Sequence, residues 1–267
     1  MKIAALQMVS TPDVARNLDV AASLIDEAAR GGAELVALPE YFCLLGRRDT
    51  DKLAVAEDDG AGPIQQLLAD CARRSGVWVV GGTLPMRTAD PKRVRNSCCV
   101  YAPDGQRVAR YDKIHLFAYD NGNEHYDEGR VLEAGQVPVA FEASGLRIGL
   151  SVCYDLRFPE LYRALARPPC DLLCVPSSFT HTTGLAHWEL LLRARAVENQ
   201  CYVIAPAQGG VHENGRRTYG HSMIVGPWGE VLAQRDEGPG VVAADVDVER
   251  INAVRKQLPA LTHRRAL

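Results

Sequence analysis

Three residues of different chemistry stand at places in the sequence where a hydrolytic enzyme would need them. The apolar run from Leu146 to Val152 leads directly into Cys153, and Asp155 and Pro159 behind it mark a turn and a helix start. A thiol at such a strand-to-helix elbow lies near helix N-terminal amides, which favour thiolate over thiol and stabilise a developing oxyanion. A thiol near pH 7 still needs a base. None of His115, His125, His181, His187, His212, His221 and His263 has a neighbouring feature that marks it for that role, so a Cys–His pairing is open but unsupported. Glu40 is better placed, because it follows the strand-like ELVALP, where open α/β sheets hold their ligands. Tyr41 and Phe42 beside it supply an apolar surround that raises a carboxyl pKa toward that of a useful base. Lys113, in RYDKIHLF, is a cation that beside Cys153 would stabilise thiolate and oxyanion alike. Each residue also has a plainer reading: a buried core cysteine, a solvated loop acid, a surface lysine. Taken singly, the three leave those readings open.

Bringing them together requires a scaffold. KIAALQM, ELVALPE, VWVVGGTL, RIGLSVC, DLLCVPSS and CYVIAPA are short apolar runs bounded by Gly, Pro or polar residues, and they predict buried strands. Helical spacing of leucine and alanine predicts helices from Ala15 to Arg30, Pro63 to Arg74, Pro159 to Ala166 and Ala186 to Asn199. This alternation indicates an α/β fold. Three segments, SCCVYAPDGQRVARYD, PVAFEASGLRIGLSV and HSMIVGPWGEVLAQRD, carry PDG, ASG and PWG turns between alternating arms and predict hairpins. Crossovers and hairpins together give mixed sheets, and two such sheets bury their apolar faces by packing on each other with helices outside. The expectation is a four-layer α-β-β-α sandwich. No repeat, low-complexity tract or linker divides the chain, which reads as one domain over residues 1–267.

The composition narrows the function. With 267 residues, 47% hydrophobic and 24% charged, the chain resembles an ordinary globular protein. A net charge of −3 and no basic run give no general attraction to nucleic acid or anionic lipid. No stretch approaches the ~20 apolar residues of a membrane span, and MKIAALQMVSTPDVARN lacks the uninterrupted apolar core of a signal peptide, so a cytoplasmic enzyme is expected. Eight scattered cysteines fit reduced thiols better than a disulfide framework. Cys170 and Cys174 precede His181 and His187, yet no CxxC pair or second ligand pair accompanies them, and no metal is expected.

Together LPEYF, YDKIHLF and SVCYDLRFPELYR resemble the nitrilase superfamily of carbon–nitrogen hydrolases, whose members use a Glu–Lys–Cys triad. Three motifs in order make coincidence a poor explanation, and HWELLLRARAVENQCYVIA and YGHSMIVGPWGEVLA extend the match across the chain. The resemblance implies Cys153 as nucleophile, Glu40 as general base and later acid, and Lys113 as oxyanion stabiliser beside the Tyr154 amide. It also implies Glu128, in YDEGRVLEAG, as a second active-site acid that orients substrate or holds Lys113, with a solvated loop acid as the plain alternative. Phe179 and Thr180 would be wall residues, with Arg157, Thr183 and His187 as further positions. For Arg157 a structural ion pair is the favoured role. The family fold is the same sandwich, typically a homodimer, and needs no cofactor. Within the superfamily the chain looks most like the deaminated glutathione amidases and their relatives the omega-amidases, which implies a small-molecule amide substrate cleaved through a thioester. An inactive scaffold and a nitrile hydrolase are the rival readings. The polar DNGNEHYDEGR departs from the family's usual sequence and leaves the specificity wall open.

Overall fold

The computed structural model describes residues 1–265. Along the chain, β1 (Lys2–Gln7), α1 (Val14–Arg30), β2 (Leu35–Ala37), α2 (Asp51–Ala54), α3 (Pro63–Ser75), β3 (Trp78–Val80), β4 (Leu84–Arg87), β5 (Val94–Tyr101) and β6 (Arg107–Asp112) build the first sheet and its helices. A small hairpin, β7 (Ala118–Asp120) and β8 (His125–Asp127), follows. Next come β9 (Ala140–Ala143), β10 (Leu146–Leu150), α4 (Pro159–Leu165), β11 (Leu172–Cys174), α5 (His181–Asn199) and β12 (Tyr202–Ala205). The chain continues through β13 (Gly209–Val211), β14 (Arg217–Tyr219), β15 (Ser222–Val225), β16 (Val231–Arg235), β17 (Gly240–Asp245) and α6 (Val248–Gln257). One sheet runs β17-β1-β2-β3-β5-β4 with β6 also on β5, and the other runs β16-β15-β12-β11-β10-β9. In each sheet the three strands linked through helices, β1-β2-β3 and β10-β11-β12, are parallel.

The sheets pack face to face because their strands alternate. Ile3, Ala5, Leu35, Ala37 and Val80 join Ile148, Leu150, Leu172 and Ile204 in one core between the sheets. Their neighbours Ala4, Leu6, Val36 and Val79 point the other way, onto Ile25 of α1 and Ile64 and Leu68 of α3. On the far side Leu161 and Tyr162 of α4 and Trp188 and Leu192 of α5 cover the second sheet. A slip of one residue in any of these strands would turn its apolar set to the wrong layer, so the register is fixed by burial. The result is the expected α-β-β-α sandwich.

All three expected hairpins form, as β5–β6, β9–β10 and β15–β16. Helix α5 starts five residues earlier than expected, at His181, because the Thr180 hydroxyl accepts the Thr183 N–H as an N-cap. Gly184 and two threonines in that first turn hide the start from a periodicity reading. Gly184 is needed there, since a Cβ on it would overlap the Tyr219 side chain of β14. No expectation covered α6, which Asp247 opens as an N-cap by accepting the Glu249 N–H.

Candidate active site

Strand ends deliver the site. Glu40 lies just past β2, Lys113 just past β6, Glu128 opens a 3-10 turn after β8, and Cys153 follows β10. Each sits where a strand gives way to a turn, at the end of the sandwich where the β-to-helix crossovers leave the parallel strands. Gly82, at φ +51, backs the turn before Glu40 so closely that a Cβ there would overlap the Pro39 carbonyl oxygen.

Lys113 is the hub. Its Nζ donates to Glu40 Oε1 at 2.9 Å and to Glu128 Oε2 at 2.8 Å, and its side chain has no exposed surface. The surface-lysine reading is therefore wrong. An ammonium has three donors, so one remains after these two bonds. Burial works against its charge, but the two carboxylates outweigh burial and hold the ammonium well above the usual lysine range. Glu128 also accepts the Phe117 N–H on Oε2 at 2.7 Å and the Tyr41 hydroxyl on Oε1 at 2.7 Å. Burial raises its pKa, yet Lys113 and these donors outweigh that and leave it below the ordinary carboxylate range. It is no solvated loop acid.

Glu40 is 1% exposed, and burial, reinforced by the Glu128 charge, lifts its carboxyl above the ordinary range against the pull of Lys113. Burial lifts this acid in the expected direction, while the groups set against it, Lys113, Asn96, Glu128 and Cys153, are polar or charged. The Cys153 thiol shares the buried cluster with the Glu40 carboxylate and stands near the Ser178 amide. Here one expectation is corrected: the elbow does not favour thiolate. Residues Cys153–Arg157 form only a short 3-10 turn before α4, and burial together with the Glu40 charge pushes the thiol well above its usual range. The resting arrangement is thiol beside carboxylate, so ionisation must come by proton transfer to Glu40. The elbow itself is sharp, with Cys153 at φ +49, and Asp155 braces it by accepting the Val152 N–H at 2.8 Å and the Tyr111 hydroxyl at 2.7 Å. The Tyr154 N–H has no hydrogen-bond partner among the described residues.

Two clefts meet at Cys153, sharing Phe117, Ser178 and Thr180. The wider one is lined by Tyr41, Lys52, Tyr126, Glu128, Arg216 and Arg217, among others. The narrower holds Tyr154, Arg157, Phe179 and Thr183. Tyr154 and Phe179 thus stand in the slot, and Thr180 on the wall of both clefts. Arg157 departs from its expected role, for among the described residues it has no acidic partner. Its guanidinium lies 5.8 Å from the Tyr154 ring centre and 5.5 Å from that of Phe179, with His187 Nδ1 at 3.1 Å. Neither cleft has a histidine in its lining, so a Cys–His pairing gains no support. The polar segment whose wall role the sequence leaves open folds as the β7–β8 hairpin and supplies Tyr126 and Asp127 to the wider cleft.

Sequence reasoning missed Asn96, whose Nδ2 donates to Glu40 Oε1 at 2.9 Å, and Tyr41, Lys52, Arg216 and Arg217. An asparagine immediately before the arm of a predicted hairpin was a signal available for the first. Tyr41 and Arg216 sit in a turn and a loop, and Lys52 and Arg217 in the very short α2 and β14, where spacing carries no such cue. Among the described residues no group of three or more His, Cys, Asp and Glu side chains is arranged to hold a metal, and no helix is long and apolar enough to cross a membrane.

The family described as carbon-nitrogen hydrolase matches residues 2–256. A deaminated glutathione amidase of Synechocystis sp. (strain PCC 6803 / GT-S) is 45% identical over 265 residues, spanning 98% of this chain and 97% of its own. Among solved structures, the Caenorhabditis elegans NitFhit protein superposes with a TM-score of 0.90 at 38% identity, and the match covers 99% of this chain but 65% of that one. Saccharomyces cerevisiae Nit3, a member of branch 10 of the nitrilase superfamily, gives a TM-score of 0.90 at 30% identity, with 100% and 97% covered.

Proposed function

Because the chain belongs to the carbon–nitrogen hydrolase family of the nitrilase superfamily, and is a hydrolase of carbon–nitrogen bonds other than peptide bonds, we propose that it is an amidase working through a Cys153 thioester, with deaminated glutathione as its substrate. Glu40 takes the thiol proton as sulfur adds to the amide carbonyl, and gives it to the departing amine as the C–N bond breaks. Water then attacks the thioester, losing its proton to Glu40, which returns it to sulfur as the acid leaves. The remaining Lys113 N–H and the Tyr154 amide are the donors for the oxyanion in both steps. Glu128 keeps Lys113 aimed. The proton shuttles between Cys153 and Glu40, so the four groups carry one net negative charge before and after it moves.

The observation that carries the substrate class is the meeting of two clefts at one sulfur. A scissile bond at Cys153 then has the wider cleft for the bulkier part of an amide and a narrow slot for a small end group, as when an acid is joined to a dipeptide. An arginine without an acidic partner in the narrower slot suits a carboxylate. The chain is one domain, and it acts as a homodimer through an apolar patch formed by Leu190 and Val197 of α5 with Trp228 of the β15–β16 turn. Leu190 is 67% and Trp228 50% exposed. Eight unpaired cysteines suit a reducing compartment, the cytoplasm.

The test is turnover of deaminated glutathione, 2-oxoglutaramate, an aliphatic amide, a carbamoyl compound and a nitrile, by wild type and Cys153→Ala. The expected result is preference for deaminated glutathione and a folded variant without turnover. Preference for 2-oxoglutaramate would move the assignment to an omega-amidase, and preference for the nitrile to a nitrile hydrolase. Appreciable hydrolysis by purified Cys153→Ala would end the nucleophile assignment, and no turnover of any amide would leave a scaffold.

A further inference from the structure

We propose that Asn96 is a positioning residue that fixes which oxygen of Glu40 exchanges the proton with Cys153. This rests on Glu40 being the base. Asn96 sits in β5, 2% exposed, and serves both neighbours in the site: its carbonyl accepts the Lys113 N–H at 3.0 Å and its side-chain amide donates to Glu40 Oε1 at 2.9 Å. That same oxygen accepts Lys113 Nζ, while Oε2 takes no hydrogen bond from the amides or ammonium around it among the described residues. Oε1 is saturated by two donors, and Oε2 is left for sulfur.

The cost of this arrangement is visible. Asn96 Oδ1 is buried without any partner, one of two such side-chain atoms among the described residues. A buried carbonyl without a donor destabilises a fold, and a protein usually relieves it by turning the amide over. Here turning it over would set Oδ1 against Glu40 Oε1, two acceptors with no hydrogen between them. The orphaned oxygen is thus the consequence of aiming the N–H at Glu40. Two donors on Oε1 also favour the ionised acid, and once Glu40 is protonated they favour carbonyl character at Oε1 and the proton on Oε2. The other charged or titratable groups facing Glu40 are Lys113, Glu128, Cys153, Tyr41 and Lys52.

The experiment compares wild type with Asn96→Leu, close in volume and without polar atoms, and with Asn96→Asp. Two pH profiles are read: kcat/KM with the preferred amide, whose own ionisations cancel between variants, and the alkylation of Cys153 by iodoacetamide. In the latter sulfur displaces iodide as Glu40 takes the proton. Loss of a donor to a carboxylate should move the acid limb of both profiles up by about one pH unit in Asn96→Leu. It should move further in Asn96→Asp, where a second acid faces Glu40. The melting temperature of Asn96→Leu should change little, because losing the unpaired oxygen offsets losing the donor to Glu40. A lower melting temperature with unshifted limbs in both variants would make Asn96 merely structural and overturn the proposal. If no amide is turned over, the amidase reading fails, while the alkylation profile still decides the role of Asn96.

Discussion

Glu128 and Asn96 act on Glu40 with opposite sign, and that separates charge from geometry at this site. Asn96 donates to Glu40 and favours its ionised form, whereas the Glu128 charge pushes the Glu40 pKa up. Replacing Glu128 by glutamine keeps an acceptor for Lys113 and Phe117 and removes only the charge. The acid limb of kcat/KM should then move down by about one unit, and kcat should fall about tenfold because Glu40 becomes a weaker base. An upward or absent shift in the Glu128→Gln profile would contradict the electrostatic account. Cys153, Glu40 and Lys113 were legible as candidates from residue type and place beside strand-like runs, and the resemblance of three motifs in order raised them above their plainer readings. Their protonation was not. Nearby amides alone suggest thiolate at the elbow, whereas burial of the sulfur, reinforced by the charge of Glu40 from a distant part of the chain, favours the thiol.

At the scale of elements, the site depends on how tightly strand ends approach one another. Gly82, at the end of β3, is pressed against the Pro39 carbonyl, and its φ of +51 is a conformation that a side chain disfavours. Gly82→Ala should therefore cost about 1–3 kcal/mol of stability and also displace Glu40, with at least a tenfold loss of kcat/KM. Gly145, in the β9–β10 turn at φ +79, would meet nothing within 4 Å, so Gly145→Ala should carry the conformational cost and leave turnover intact. Urea unfolding and kinetics on the two variants check both statements, and equal activity in them would break the proposed link between β3 and Glu40. Six buried strands, three hairpins and four helices were readable because their periodicity is a local property, whereas β7, β8, β13, β14 and β17 were not expected. The early start of α5 was not, because its first turn is chosen by a threonine cap and by the close approach of β14 to Gly184, a contact that no local pattern encodes.

For the whole molecule, Leu190 on the outer side of α5 is exposed, and Val197 is half exposed beside Gly229. Leu190→Glu should convert a dimer into a monomer in sedimentation at micromolar protein without unfolding it, and a wild type that sediments as a monomer would remove the dimer from the proposal. The sandwich accounts for another division of labour. Arg216, Arg217 and Arg157 line clefts open to solvent, where dissolved ions weaken any attraction they exert beyond about 8–10 Å. Lys113 has no such contact with the medium, and mobile ions cannot gather around it. Recruitment of an acidic molecule thus answers to the saltiness of the surroundings, whereas the field felt by the breaking bond is set in place by folding and answers little to salt.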